Sequence, residues 1–146
     1  MNPISIYLAG PFDKYEDYSD WRDYIKEKIP EVHFFDPRFD TKQGCIAVFV
    51  SGDLGGVEQC DCTLTYVKKP HGDTGTTIET THANANDKLT ILCLDKEIGF
   101  VSPMIVGISR RIVIGFDAAI LYIKNLASLG LDHEFEAAYK TMNDLQ

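Results

Sequence analysis

The chain divides itself into short apolar runs that stop at turn residues, with longer stretches of helical spacing between them, and this alternation restricts the fold more than any other feature. Residues 4–8 are the first run, halted at Ala9-Gly10-Pro11. Behind Ser19, a suitable N-cap, Trp21, Tyr24, Ile25 and Ile29 recur at helical spacing and predict an amphipathic helix with Trp21 in the core. Residues 32–35 make a second strand, ended by Asp36-Pro37. Residues 46–50 are locally β-like but too short for periodicity to choose between strand and helix, and Leu54, Val57 and Cys60 suit a short helix after Asp53. A strand over 62–67 leads into a Gly, Asp and Thr loop over 71–77, then a helical segment over 78–87. A buried strand at 89–94, a strand at 112–114 and helices near 116–126 and 133–142 follow. Strands alternating with helices predict a layered α/β fold with a mostly parallel central sheet. No repeat or linker interrupts the pattern, so residues 1–146 are expected to form one domain.

Composition excludes several kinds of partner. A chain of 146 residues with 45% hydrophobic side chains can bury a core without disulfide or metal staples. Its formal net charge of −8 lacks the Lys and Arg clusters that long nucleic acid requires. Cys45, Cys60, Cys62 and Cys93 contain no C-x-x-C pair and are expected to be free, buried or half-buried thiols, with no metal site. The N-terminus lacks the pattern of a secretory leader, and no apolar run is long enough for a membrane span. A soluble cytoplasmic protein, bound to no membrane, is expected.

In parallel sheets ligands sit beyond the carboxyl ends of the strands, which directs attention to the loops after residues 8, 67 and 94. The second of these carries Asp73-Thr74-Gly75-Thr76-Thr77-Ile78-Glu79. A strand-loop-helix turn of that length brings both carboxylates to one pocket. A carboxylate suits glycosidic chemistry because it can stabilise an oxocarbenium-like transition state and then collapse onto it covalently. Spacing alone favours the plainer reading of a helix-capping Asp73 and a solvated Glu79. Neither G-x-x-x-x-G-K-[ST] nor G-x-G-x-x-G occurs, and His33, His71, His82 and His133 form no helical H-x-x-x-H pair.

Taken in order, Ile6-Tyr7-Leu8-Ala9-Gly10-Pro11-Phe12, Gly52-Asp53-Leu54 with Cys60-Asp61, and Asp73-Thr74-Gly75-Thr76 ending at Glu79 resemble the nucleoside 2-deoxyribosyltransferase family. Val101-Ser102-Pro103-Met104 is similar to the family segment that reaches a neighbouring subunit's active site. The resemblance spans about residues 4–126 and implies a flavodoxin-like fold. It also implies Glu79 as the nucleophile on C1' of deoxyribose, with Tyr7 orienting its carboxylate. By the same resemblance Asp73 binds the 5' side of the sugar, and Asp53 bonds the nucleobase and assists protonation of the departing ring nitrogen. Phe12 would wall the base, core packing being its competing reading, and Gly10 would permit close backbone approach. Ser102, and with it Met104, would act on the partner's substrate in a dimer or larger homo-oligomer. Asp61 reads as structural. A deoxynucleoside and a free nucleobase are the implied partners, no cofactor is needed, and the implied reaction is a retaining double displacement.

The chain departs from that family in places. Thr80-Thr81 stands where a Leu-Gly pair commonly follows the Glu, which would alter helix packing under the nucleophile. Relatives that hydrolyse deoxynucleoside 5'-monophosphates place small hydroxyl residues at the phosphate; Ser102 resembles them, whereas the charge of Asp73 opposes a phosphate. N-glycoside hydrolysis of monophosphates is therefore the alternative activity, and a non-catalytic nucleotide-sensing domain a second.

Overall fold

The computed structural model describes residues 3–70 and 72–131. Five strands, β1 (Ser5–Ala9), β2 (His33–Phe35), β3 (Cys62–Val67), β4 (Leu89–Leu94) and β5 (Arg111–Ile114), form one sheet in the order β2-β1-β3-β4-β5. Every pairing is parallel, with Tyr7 opposite Thr63 and Thr63 opposite Thr90 in one row. This is the doubly wound flavodoxin-like order, as expected. The helices are α1 (Trp21–Lys28), α2 (Pro37–Asp40), α3 (Ile46–Gln59), α4 (Thr74–Ala85), α5 (Pro103–Gly107) and α6 (Phe116–Leu129).

Period-two alternation sorts the strand side chains onto two unlike faces. Ile6, Leu8, Leu64, Ile91 and Cys93 point to one side, where they form the main core with Trp21 and Ile25 of α1 and Phe116 and Ile123 of α6. The other side carries Tyr7 and Ala9 of β1, packed with Val57 of α3 and Ala83 of α4. Thr63, Thr65 and Thr90 share this second face by alternation and are wholly buried. The α3/α4 side of the sheet is thus lined with hydroxyls, and the candidate site lies above it.

Several local expectations shift. Asp20 caps α1, its side chain accepting from Arg22 N at 2.9 Å, while Ser19 Oγ donates to Asp23. Residues 46–50 are the first turns of α3, so the segment left undecided by periodicity is helix and continuous with the one after Asp53. Helix α4 begins at Thr74 instead of residue 78, because Asp73 caps it there. Ser102 and Pro103, which alone read as a turn, open the short α5. The helix expected over 133–142 lies outside the described residues. Asp61 is structural, its carboxylate accepting from both N and Oγ of Ser5 at the start of β1. Cys60, Cys62 and Cys93 are buried free thiols, but Cys45 is exposed at the N-cap of α3. Among the described residues no helix is long and apolar enough to cross a membrane.

Candidate active site

In the order β2-β1-β3-β4-β5 the winding reverses between β1 and β3, and the loops leaving those two strands part to open a crevice. A cleft of about 440 Å³ occupies it. Gly10, Pro11 and Phe12 line it from the end of β1, Phe49, Val50, Asp53 and Leu54 from one face of α3, and Asp73, Gly75, Ile78 and Glu79 from the start of α4. Of the residues singled out in the sequence, Gly10, Phe12, Asp53, Asp73 and Glu79 therefore come together.

Glu79 is half-buried, and its Oε2 is sealed from solvent without a hydrogen-bond partner. Burial pushes its carboxyl up from 4.5 to about 7; Asp53 and Asp73 push the same way, and Tyr7 as a donor and Arg22 as a cation oppose them. The solvated-helix reading of Glu79 is thereby discarded. Tyr7 projects from β1 beneath it, its ring stacked on Phe35 at 5.3 Å. Gly56 makes that stack possible, since a Cβ there would meet the Phe35 ring at 2.6 Å. Burial, then the Glu79 charge, raise the Tyr7 phenol well above the usual tyrosine range and keep it a donor. The hydroxyl is near enough to lower the Glu79 pKa, yet the pair falls short of an ordinary hydrogen bond. Tyr7 Oη and Glu79 Oε2 are both left unpaired. Buried polar atoms without partners are costly; Glu79 itself lines the cleft, while Tyr7 lies behind it and does not.

Asp53 is 7% exposed, with Oδ1 unpaired. Burial raises its pKa, while Thr41 as a donor and the Arg22 charge lower it. Gly52 admits Thr41 to this position, a Cβ at residue 52 lying 2.6 Å from Thr41 Cγ2. Asp73 does cap α4, accepting from Thr76 N at 2.8 Å and Thr76 Oγ1 at 2.7 Å, and it also lines the cleft. The two readings of Asp73 are therefore compatible. A Cβ on Gly75 would stand 3.6 Å from Asp73 Oδ1 and 3.8 Å from Glu79 Oε1, so the two carboxylates flank a single point.

Phe12 is 72% exposed at the cleft rim, which removes the core-packing reading. Gly10 is required first by the core: a Cβ there would lie 2.6 Å from Trp21 Cζ2. Ser102 and Met104 do not line the cleft of their own chain. Ser102 Oγ caps α5 by accepting from Met104 N at 3.3 Å, and the Met104 side chain is exposed.

Sequence reasoning missed Arg22. This buried guanidinium lines the cleft and donates to three carbonyls at the end of β1 and in the loop after it, Leu8 O at 3.2 Å, Gly10 O at 2.6 Å and Pro11 O at 3.1 Å. Asp20 neutralises it at 3.1 Å, and its Cζ sits 5.3 Å from the Phe12 ring centroid. It fixes the loop that carries Gly10 and Phe12 and supplies the positive charge facing the acidic residues. Phe49 and Val50 were missed because their helix was not recognised; Ile78, 52% exposed, completes the apolar wall. Among the described residues, no three His, Cys, Asp or Glu side chains converge as a metal site would require. An apolar cleft lined by carboxyls can hold a ring and present a nucleophile and an acid to it.

No protein-family model matches the chain, and no curated protein matches it. Solved structures do match. A conserved protein of Enterococcus faecalis V583 aligns with a TM-score of 0.70 at 15% identity, over 85% of this chain and 99% of that one. A 2-deoxyribosyltransferase of Bacillus psychrosaccharolyticus aligns at 0.59 and 19% identity, over 80% of this chain and 90% of that one. The CMP N-glycosidase BcmB of Clostridium botulinum also aligns at 0.59, with 15% identity, over 82% of this chain and 98% of that one. What the chain shares with these proteins at such identities is the fold.

Proposed function

We propose that this chain cleaves the N-glycosidic bond of 2'-deoxynucleosides through Glu79 and passes the deoxyribosyl group to a second nucleobase. The observation that carries the reading is a half-buried Glu79, one oxygen unpartnered, that shares an apolar cleft with Asp53 and Asp73 and is acted on by the Tyr7 hydroxyl from β1. The base lies against Phe12, Phe49 and Leu54, and the sugar over Gly75. A Glu79 oxygen attacks C1' as the C1'–N bond breaks and its electron pair leaves with the base. Asp53, whose pKa burial raises, gives the departing nitrogen its proton. Tyr7 donates to the Glu79 carboxylate and holds it in line. A nitrogen of the incoming base then attacks C1' from the vacated side, Glu79 leaves as a carboxylate, and the proton of that nitrogen returns to Asp53. A 2'-hydroxyl would withdraw electrons from the developing cation, which favours deoxyribose.

Transfer to nucleosides is preferred to hydrolysis of monophosphates because Asp73 lines the cleft with a carboxylate, which repels a 5'-phosphate brought beside it. The exposure of Met104 on α5 and the half-buried position of Ser102 at its N-cap, both away from the cleft of their own chain, support their service to a second copy in a homo-oligomer. The test is chromatography of the protein with deoxyinosine or thymidine plus adenine, and in parallel with deoxynucleoside monophosphates alone, each repeated with Glu79→Ala. Deoxyadenosine formed only by the intact protein supports transfer; base released only from monophosphates transfers the assignment to an N-glycosidase. Binding without turnover, unchanged in Glu79→Gln, makes the chain a sensor.

A further inference from the structure

Helix α4, which carries Glu79, is built from poor helix formers: Thr74, Gly75, Thr76, Thr77, Thr80 and Thr81 fall in its first two turns. It meets the sheet through Thr76, Thr80 and Ala83, all small, and small side chains leave a helix free to rotate on the surface beneath it. Besides the His82–Glu58 pair that joins α4 to α3 at 2.7 Å, one directional contact with the sheet opposes such rotation. Thr80 Oγ1 lies 2.8 Å from Thr65 Oγ1 of β3, both residues being 0% exposed. Thr80 Oγ1 also lies 2.7 Å from Thr76 O, which can only accept. The single Thr80 proton is therefore spent on Thr76 O, and Thr65 must donate to Thr80. The chain runs one way, from β3 through Thr80 to the backbone of Thr76, whose N and Oγ1 hold Asp73. Such pairing is not automatic on this face: Thr63 and Thr90 are equally buried, and their hydroxyls have no hydrogen-bond partner.

We propose that the buried Thr65–Thr80 hydroxyl pair is a positioning device that sets the rotation of α4 on the sheet and so aims Glu79 at the reacting carbon. The inference rests on the glycosidic role proposed above for Glu79. Thr65 and Thr80 act only through Glu79 and Asp73, and the geometry they protect is demanding, since a misplacement near 1 Å costs on the order of 100-fold in rate.

The test compares Thr80→Val and Thr65→Val, which keep shape and delete the pair, with Thr80→Ser, which keeps the hydroxyl, and Thr90→Val, which removes a hydroxyl from the same layer. Deoxyribosyl transfer is measured for each, and the Glu79 carboxyl is titrated by ¹³C NMR in carboxyl-labelled protein. Both Val variants should lose about 10- to 100-fold in kcat with KM changed less than about 3-fold. Their Glu79 titration midpoint should move down from about 7. The double variant should be no worse than either single one, and the Ser and Thr90 variants should behave as wild type. A folded Thr80→Val or Thr65→Val protein with unchanged kcat and an unchanged Glu79 midpoint overturns the proposal; so does loss in Thr80→Ser equal to that in Thr80→Val. If the wild-type protein transfers no sugar, the proposed function fails, while the titrations still decide whether the pair positions Glu79.

Discussion

Holding Glu79 in its pocket should cost the fold stability that a neutral side chain would recover. Its carboxyl is raised from 4.5 to about 7, chiefly by burial. Between those values the folded chain keeps a proton that the unfolded chain has released, so stability falls as pH rises and the loss is complete above the folded-state pKa. A shift of this size corresponds to roughly 3 kcal/mol, which solvent screening of a half-buried carboxyl trims to about 1–3 kcal/mol. Glu79→Gln does not titrate, and any fixed difference in packing cancels when one variant is compared at two pH values. In a domain of this size the recovered stability amounts to about 3–10 °C in Tm. Thermal unfolding of both proteins near about pH 4 and about pH 8 should show the gap in Tm widen in favour of Gln at the higher pH. A gap that is equal at both, or that widens in favour of Glu at high pH, would refute the burial of an ionising Glu79.

Other consequences follow from the same geometry. Attack needs Glu79 ionised and proton donation needs Asp53 protonated, so kcat/KM should follow a bell in pH with one limb near about 7, set by Glu79. Because the Asp53 charge raises the Glu79 pKa, Asp53→Asn should move that limb to lower pH while lowering kcat by about 100- to 10,000-fold, as expected for loss of a general acid; an unmoved limb in the pH–rate profile counts against the pair sharing one cleft. Gly75→Ala meets only ordinary contacts at 3.6 and 3.8 Å from Asp73 and Glu79. It should stabilise α4 by up to about 1 kcal/mol in denaturant melts while its methyl occupies the sugar position and raises KM. Gly10→Ala, 2.6 Å from Trp21, should instead destabilise by about 1–3 kcal/mol through overpacking, visible as a lowered urea midpoint.

Much of this architecture is legible in the sequence because strand length and turn chemistry are local. The runs ending at Gly10-Pro11 and Asp36-Pro37, and the alternation over 62–67, lead directly to a parallel sheet. The first half of α3 is not legible, because Ile46, Val48 and Val50 are β-branched and exposed and Cys45 supplies no side-chain cap. Its packing is equally non-local: Gly52, two residues beyond that segment, seats Thr41, and Gly56 seats Phe35. Losing that helix hid Phe49 and Val50. The start of α4 at Thr74 is hidden because Thr74, Gly75, Thr76 and Thr77 are weak helix formers that read as loop, although Asp73 caps them. Arg22 was hidden for another reason, since its partners are backbone carbonyls of a loop whose shape no sequence pattern displays. Tyr7, Asp53, Asp73 and Glu79 could be named from a motif resemblance, but the unpaired oxygens that make three of them interesting belong to the folded state alone.

The most direct measurement is to mix the protein with a deoxynucleoside in the absence of an acceptor base, quench in acid within the first turnovers, and map the protein by peptide mass spectrometry. The mechanism requires a deoxyribosyl adduct on the peptide containing Glu79, formed with one equivalent of released base and discharged when a second base is added. Release of base with the sugar never found on Glu79, or full turnover by Glu79→Ala, would contradict it.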